Sequence, residues 1–384
     1  MRKWIACAIA TLALSQAASA QEHDHAKMLR EMAAANGWVF AQDGVVWAMY
    51  NDQSGERGGS EFVAPNWWML MAMRKTSAGM LSLEGMWSLE PATVGADGYR
   101  ELFQAGEAFH GNAIVDRQHP HDFLMRLQAS LRMPVTTSTG ITVTGAAVGS
   151  PALGPIPYMH RASAFDNPMA PITHHLFDST HVSFGVVTAA VDHGPWTLEG
   201  SVFNGREPDE HRWDFDFGKM DSVSGRLWFK PTARWMFQIS TGHLVSPEQL
   251  EPGNIERTTA SASWTVVNGN NVESITASFG RNDRAGDARQ AAFLEGAKHF
   301  GGNTIYSRVE RTFLDHAIAD VTVTSFTLGG VRDILNRHGY ESGFGAAVTF
   351  YATPSLLDHS YGPHPMSFQV FFRLRPSVHM VNME

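Results

Sequence analysis

Apolar side chains recur at every second position in short stretches along the whole of this 384-residue chain. Leu81, Leu83, Gly85, Trp87 and Leu89 alternate with Ser82, Glu84, Met86, Ser88 and Glu90. Near the other end, Phe368, Val370, Phe372 and Leu374 alternate with Gln369, Phe371, Arg373 and Arg375. A period of two marks a strand with unlike faces, because successive side chains on a pleated backbone point to opposite sides. Helical spacing fits less well. Over 123–133 it strands Met125 and Met133 on the polar side, whereas a strand gathers Phe123, Met125, Leu127, Ala129, Leu131 and Met133 on one face. The expected fold class is all-β.

Sixteen such segments are expected, near 38–50, 62–75, 79–91, 123–134, 140–149, 180–192, 195–206, 221–231, 233–246, 256–267, 271–282, 289–300, 304–315, 319–334, 340–353 and 365–376. In 319–334 the parity changes between Val321-Val323 and Phe326-Leu328, which calls for a bulge. The links between segments are sorted by length. Every other one is tight and rich in turn residues: Lys75–Gly79, Pro134–Gly140, Asp192–Pro195, Pro231–Arg234, Asn268–Asn271, Gly301–Thr304 and Asn336–Gly339. The remaining links are mostly longer, and 92–122 and 150–179 are very long.

A soluble sandwich has no reason to sort its loops. A transmembrane barrel does, with short turns at its periplasmic rim and long loops outside. The expectation is a single antiparallel up-and-down barrel of sixteen strands, with long external loops folded toward the lumen. An even strand count returns both termini to the short-turn rim. The greasy alternate residues then face hydrocarbon, where a closed sheet pairs every backbone polar group. Trp47, Trp67, Trp68, Trp196, Trp213, Trp235 and Tyr351, near strand ends, are expected at the two membrane interfaces.

The first twenty residues read as a cleaved secretory signal peptide: Arg2 and Lys3, then the apolar stretch Trp4–Leu14, then the small-residue site Ala18-Ser19-Ala20. A short periplasmic segment is expected over 21–36, the barrel over 37–376 and a tail over 377–384. The only cysteine, Cys7, lies in the leader, so the exported chain has neither disulfides nor thiolate ligands. A formal net charge of −9 with no basic cluster gives nucleic acid nothing to bind.

Across its exported length the chain resembles porin-type outer-membrane proteins of Gram-negative bacteria. More narrowly, the stretches "LFQAGEAFHGNAIVDRQHPHDF", "MHRASAFDNPMAPITHHLFDSTHVSFG" and "EGSVFNGREPDE" resemble a group of exported bacterial barrels with no established activity. The resemblance implies fold and location: the outer membrane, with its lipid and the barrel-insertion machinery as partners. It is compatible with a homo-trimer. The tail departs from the usual pattern, since eight residues follow Pro376 where such barrels commonly finish on an aromatic residue.

Histidines crowd the long loops. His119 and His121 close the first, and His160, His174, His175 and His181 lie along the second, with His110 and His211 on neighbouring stretches. On extended backbone the i, i+2 pair His119 and His121 points the same way. Imidazole suits zinc, copper and nickel, and thioether suits reduced copper. Asp116, Asp122 and Asp178 are candidates as ligands or as acceptors that fix the rings. The stretch "QEHDHAKM" adds His23, His25 and Met28 as a weak metal-capture tract. The alternative is an Asp–His–Arg network that merely satisfies buried polar groups.

Glu84, Glu90 and Glu199 fall on inward-facing positions with Arg126, Arg132, Arg226, Lys230, Arg308 and Arg373. They either form facing rows that orient polar solutes, or they pair and seal the lumen. Three functions stay open: a channel for small hydrophilic solutes, a binding or import protein for divalent copper or zinc, and a surface lipid or ester hydrolase centred on Ser179. No H-E-x-x-H or G-x-S-x-G motif is present, so no catalytic residue is assigned and no enzyme is expected.

Overall fold

The structure, a computed structural model, describes residues 37–269, 271–314 and 318–377. Residues 1–36, on which the expected signal peptide and His23, His25 and Met28 fall, and residues 378–384 lie outside the described residues. Nineteen strands are described, seventeen of them in one closed antiparallel sheet. The sheet starts with β1 (Trp38–Gln53), β2 (Gly59–Val63), β3 (Asn66–Lys75) and β4 (Met80–Trp87). It continues with β7 (Leu124–Pro134), β8 (Thr139–Gly149), β9 (Ser183–His193), β10 (Trp196–Phe203), β11 (Ser222–Thr232) and β12 (Trp235–Leu244). The last seven are β13 (Ile255–Asn268), β14 (Asn271–Arg284), β15 (Asp287–Phe300), β16 (Asn303–Phe313), β17 (Thr322–Arg337), β18 (Tyr340–Ala352) and β19 (Met366–Pro376).

Strands β2 and β3 both pair with β1 and are one wall strand broken at Ala64-Pro65, so the barrel has sixteen staves. Proline explains the break, because it has no N–H to give the ladder; its carbonyl still accepts from the Trp47 N–H at 3.0 Å. The ring closes where β1 pairs with β19, from Val46 opposite Leu374 to Gln53 opposite Ser367. All seven tight links expected from the sequence lie on one rim.

From β10 to β16 the alternation is that of a lipid-facing wall. Leu198, Ile239, Ile275, Phe279, Leu294 and Ile305 point outward, while Thr259, Ser263, Thr276 and Glu295 are buried inside. At the short-turn ends of β10–β12, Trp196 stacks on Phe229 at 4.1 Å and Trp235 on Phe237 at 5.6 Å. These amphipathic rings suit the membrane interface. Leu294, midway along β15, is 53% exposed to that surroundings. We expect Leu294→Arg to destabilise the membrane-inserted state by about 2–4 kcal/mol. Guanidinium unfolding in lipid vesicles measures this, and an unchanged midpoint would place Leu294 away from hydrocarbon.

The wall formed by β1, β3, β4 and β7 breaks the alternation. Met125 is turned inward by a bulge: Met86 opposes Arg126 and Trp87 opposes Leu124, leaving Met125 unpaired and buried. It therefore leaves the outward set in which period two had placed it. Trp47, Trp67 and Tyr351 also face inward rather than sitting at an interface. Trp47 meets Phe371 edge-on at 5.1 Å, and Trp67 meets His160 at 4.7 Å. Apolar parts of the second long loop pack against Met125, Trp47 and Trp67, so the inner face of this sector is a protein core, while Tyr351, on β18, packs on Leu102 and Phe103 of the first.

Residues 319–334 need no bulge at their parity change. Pairing of β17 with β16 is unbroken from Thr322 to Arg332, and its shift against β18 falls at Asp333–Leu335. Val323 turns inward because it meets Leu102, Phe103, Tyr351 and Tyr361 in a core at the mouth.

Two inserts fill the lumen. The first is a hairpin, β5 (Tyr99–Phe109) with β6 (Asn112–Gln118), bulged twice. Its Phe103 and Asp116 adopt left-handed backbone angles, φ 68° and 56°, costly for residues with a Cβ. Asp116 recovers part of that cost: its carboxylate accepts from Arg57 at 2.5 Å, from the Phe103 N–H at 2.8 Å and from the Tyr361 hydroxyl at 3.0 Å. The second insert is 150–182, almost wholly buried. It is clamped to β15, β16 and β19. Arg161 Nε donates to Glu295 at 2.6 Å, Asp166 pairs with Arg373, and the Thr173 hydroxyl donates to Glu310 at 2.9 Å.

Candidate functional site

The inward-facing charges are paired. Glu84 meets Arg126 at 3.3 Å, and Glu199 meets Arg226 at 2.7 Å while accepting from the Trp228 indole at 2.9 Å. Lys230 lies 5.2 Å from the Trp228 ring centre. Arg308 meets Glu295 at 3.0 Å, Arg132 meets Asp192 at 2.6 Å, and Arg373 gathers Asp166, Asp333 and Glu341. Glu90 is not on a wall strand, because β4 ends at Trp87 and Glu90 opens a one-turn helix, Glu90–Thr93.

Above these pairs, toward the long-loop rim, the two inserts bring five imidazoles together. His119 and His121 follow β6. His174 and His175 open the one-turn helix His174–Phe177, and His181 ends the turn Ser179–His181. Ring centres lie 5.3 Å apart for His119 and His175, 5.2 Å for His174 and His175, 5.1 Å for His174 and His181, and 5.3 Å for His121 and His181. One ring nitrogen from each of His119, His174 and His175 lies within 4.8 Å of the other two.

Each ring is held by one edge. His174 Nδ1 donates to Asp178 Oδ1 at 2.6 Å, and His121 Nδ1 to Glu90 Oε2 at 2.8 Å. His181 Nδ1 donates to the Asp178 carbonyl at 2.7 Å. His119 Nδ1 donates to the Pro120 carbonyl at 3.3 Å, with Glu107 beside it, and His175 Nδ1 faces Glu207 at 3.5 Å. A carbonyl only accepts, and so does an ionised carboxylate such as Asp178, so Nδ1 carries a proton and Nε2 is the nitrogen left for a cation, which displaces the Nε2 proton where the charged ring is favoured. All five Nε2 atoms are buried without a hydrogen-bond partner. Each such atom costs about 1–3 kcal/mol, which makes the cluster a local weakness unless a cation joins it.

Electrostatics divides the rings. Burial, with Arg212 beside it, holds His119 well below the ordinary imidazole value, and burial beside His174 does the same to His181. His174 is also lowered by burial, against the pull of Asp178. At His121 burial is outweighed by Glu90, and at His175 by Glu207, so both are raised. Asp178 is depressed against its burial chiefly by His174, so it stays an ionised acceptor. Burial pushes Asp122 up to about 7, although Arg212 lies at 3.6 Å.

Several candidates fall elsewhere. His160 packs on Trp67, and burial pushes it down to about 3. Asp116 anchors the hairpin through Arg57 and Tyr361. His110 and His211 are exposed, beside Glu210 and Asp209. The Ser179 hydroxyl accepts from Arg257 at 3.0 Å and its proton goes to Glu207, so no histidine activates it. Conversely, Glu107 and Glu207 were not recognisable as ring partners in the sequence; both are local polar residues whose role depends on distant contacts. His175 also lines a cavity of about 60 Å³ with Glu248, Glu251 and Arg284. Arg284 bridges both carboxylates, at 2.7 and 2.8 Å.

No protein-family model and no curated protein matches the sequence. Solved structures do. An anion-selective porin from Comamonas acidovorans is 12% identical over 88% of this chain and 99% of its own, with a TM-score of 0.53. The trimer form of OmpT, an outer-membrane protein of Vibrio cholerae, is 6% identical over 88% and 99%, with a TM-score of 0.49. A triple mutant of the Rhodopseudomonas blastica porin is 11% identical over 88% and 100%, with a TM-score of 0.42. At such identities the likeness is one of fold. The closed sixteen-stave sheet, its lipid-facing alternation and the first of these likenesses make the chain a porin-like outer-membrane β-barrel.

Proposed function

We propose that this barrel binds a transition-metal cation, zinc or copper, through His119, His174 and His175. The observation that carries the reading is the shared pattern of the rings: Nδ1 held by a carboxylate or carbonyl, Nε2 buried and without a hydrogen-bond partner. Carboxylate–histidine pairing of this kind orients metal-binding imidazoles and raises their basicity. Three nitrogens and an open fourth position suit tetrahedral zinc, and a purely imidazole donor set also suits copper(II). A cavity of about 60 Å³, lined by both carboxylates and arginines, borders His175. Import through the barrel and simple capture both fit such a site.

Calorimetric titration of the detergent-solubilised protein with zinc and with copper tests the reading. Binding in the micromolar range or tighter is expected, and its absence with both metals would refute it.

A second reading, a channel for small hydrophilic solutes, is favoured by the porin-like fold. The buried 150–182 insert leaves such a channel narrow, and planar-bilayer recording is its test.

A further inference from the structure

We propose that His121 and His181 form a second cation position adjoining the first; this rests on the metal reading above. The five rings make two figures. His119, His174 and His175 form a triangle with sides of 6.0, 5.2 and 5.3 Å. His119, His121, His181 and His174 form a quadrilateral whose other sides are 6.0, 5.3 and 5.1 Å. The two share the edge between His119 and His174.

An ion on the triangle uses the Nε2 atoms of its three rings and satisfies only those. Nε2 of His121 and Nε2 of His181 remain buried and unpartnered, on neighbouring rings. Their Nδ1 atoms are committed to Glu90 and to the Asp178 carbonyl, so neither ring can turn its other nitrogen inward. Two imidazoles with unpartnered Nε2 atoms on adjacent rings, deprotonated on binding, are a donor pair for a cation of low coordination number, and copper in its reduced state is the metal that best accepts two nitrogen donors. The second position differs from the first in its anchors. Glu90 holds His121 and nothing on the triangle: it accepts from the His121 ring and from the His121 backbone N–H at 2.9 Å.

Native mass spectrometry of the full chain in detergent, titrated with copper under reducing and then oxidising conditions, counts the ions. Two per chain are expected. Glu90→Gln should weaken the second ion about 10–100-fold and leave the first in place, the size of effect expected when a ring loses its orienting carboxylate. One ion per chain under reducing conditions overturns the second position while the metal reading stands. No bound metal at all overturns both. Loss of both ions together in Glu90→Gln overturns the independence of the two positions.

Discussion

His174→Ala is expected to weaken zinc or copper binding by about 10²–10³-fold. Structural zinc sites bind with about 10–16 kcal/mol, so each of four ligands is worth roughly 2.5–4 kcal/mol. His174 is the central ring, in contact with His119, His175 and His181, and it is fully buried. Its loss leaves His119 and His175 as two ligands of the triangle. Asp178→Asn keeps the ring but gives up the ionised acceptor at Nδ1, and a smaller loss of about 10–100-fold is expected. Competition with a chelator of known affinity measures both, and heat-modifiable gel mobility shows that the barrel has formed. An affinity unchanged in a folded His174→Ala protein would remove the site.

The second large effect belongs to Glu295, on the inner face of β15. It accepts from Arg161 Nε at 2.6 Å, from the Ser163 hydroxyl at 2.8 Å and from Arg308 Nε at 3.0 Å. Glu295→Ala leaves two buried guanidinium groups without this carboxylate, a loss of about 3–5 kcal/mol for a broken buried pair. The damage falls on the clamp between 150–182 and the wall. Arg161 also reaches Asp178 at 3.5 Å, so the same change loosens the acceptor that orients His174. We expect a lower temperature for the heat-induced mobility shift, weaker metal binding, and conductance steps in planar bilayers larger than those of the parent protein. Unaltered conductance and thermal behaviour would mean that Glu295 does not hold the insert in the lumen.

Where a wall strand has lipid on one side and small polar groups on the other, its sequence reads clearly. Over β13–β16 the hydrophobic alternation matches the observed faces because each face meets a different solvent. The rule fails on β3, "NWWMLMAMRK", where Trp67, Met69 and Met73 are buried while Leu70 faces out. Both faces of that strand are apolar, because one meets lipid and the other meets the packed insert. Met125 was misplaced for a related reason: a bulge is a matter of pairing with β4, and nothing in the alternation marks it.

The loops were only partly legible. Their histidines stood out by number, and His119 with His121 by spacing. His174, His175 and His181 belonged to the same expected ligand pool, but which rings meet was not legible, nor was the displacement of His160 onto Trp67. Partners such as Glu107, on the first insert, and Glu207, on a third loop, come from stretches with no local pattern in common.

By itself, then, the sequence determined the period, the sorting of turns and the closed, lipid-facing sheet, because these follow from local alternation and chain length. Which nitrogen of each imidazole stays bare, and whether the lumen charges pair or face one another, was decided by tertiary structure alone. Those outcomes depend on contacts between residues up to about two hundred positions apart, such as Arg373 with Asp166, and no local rule fixes them.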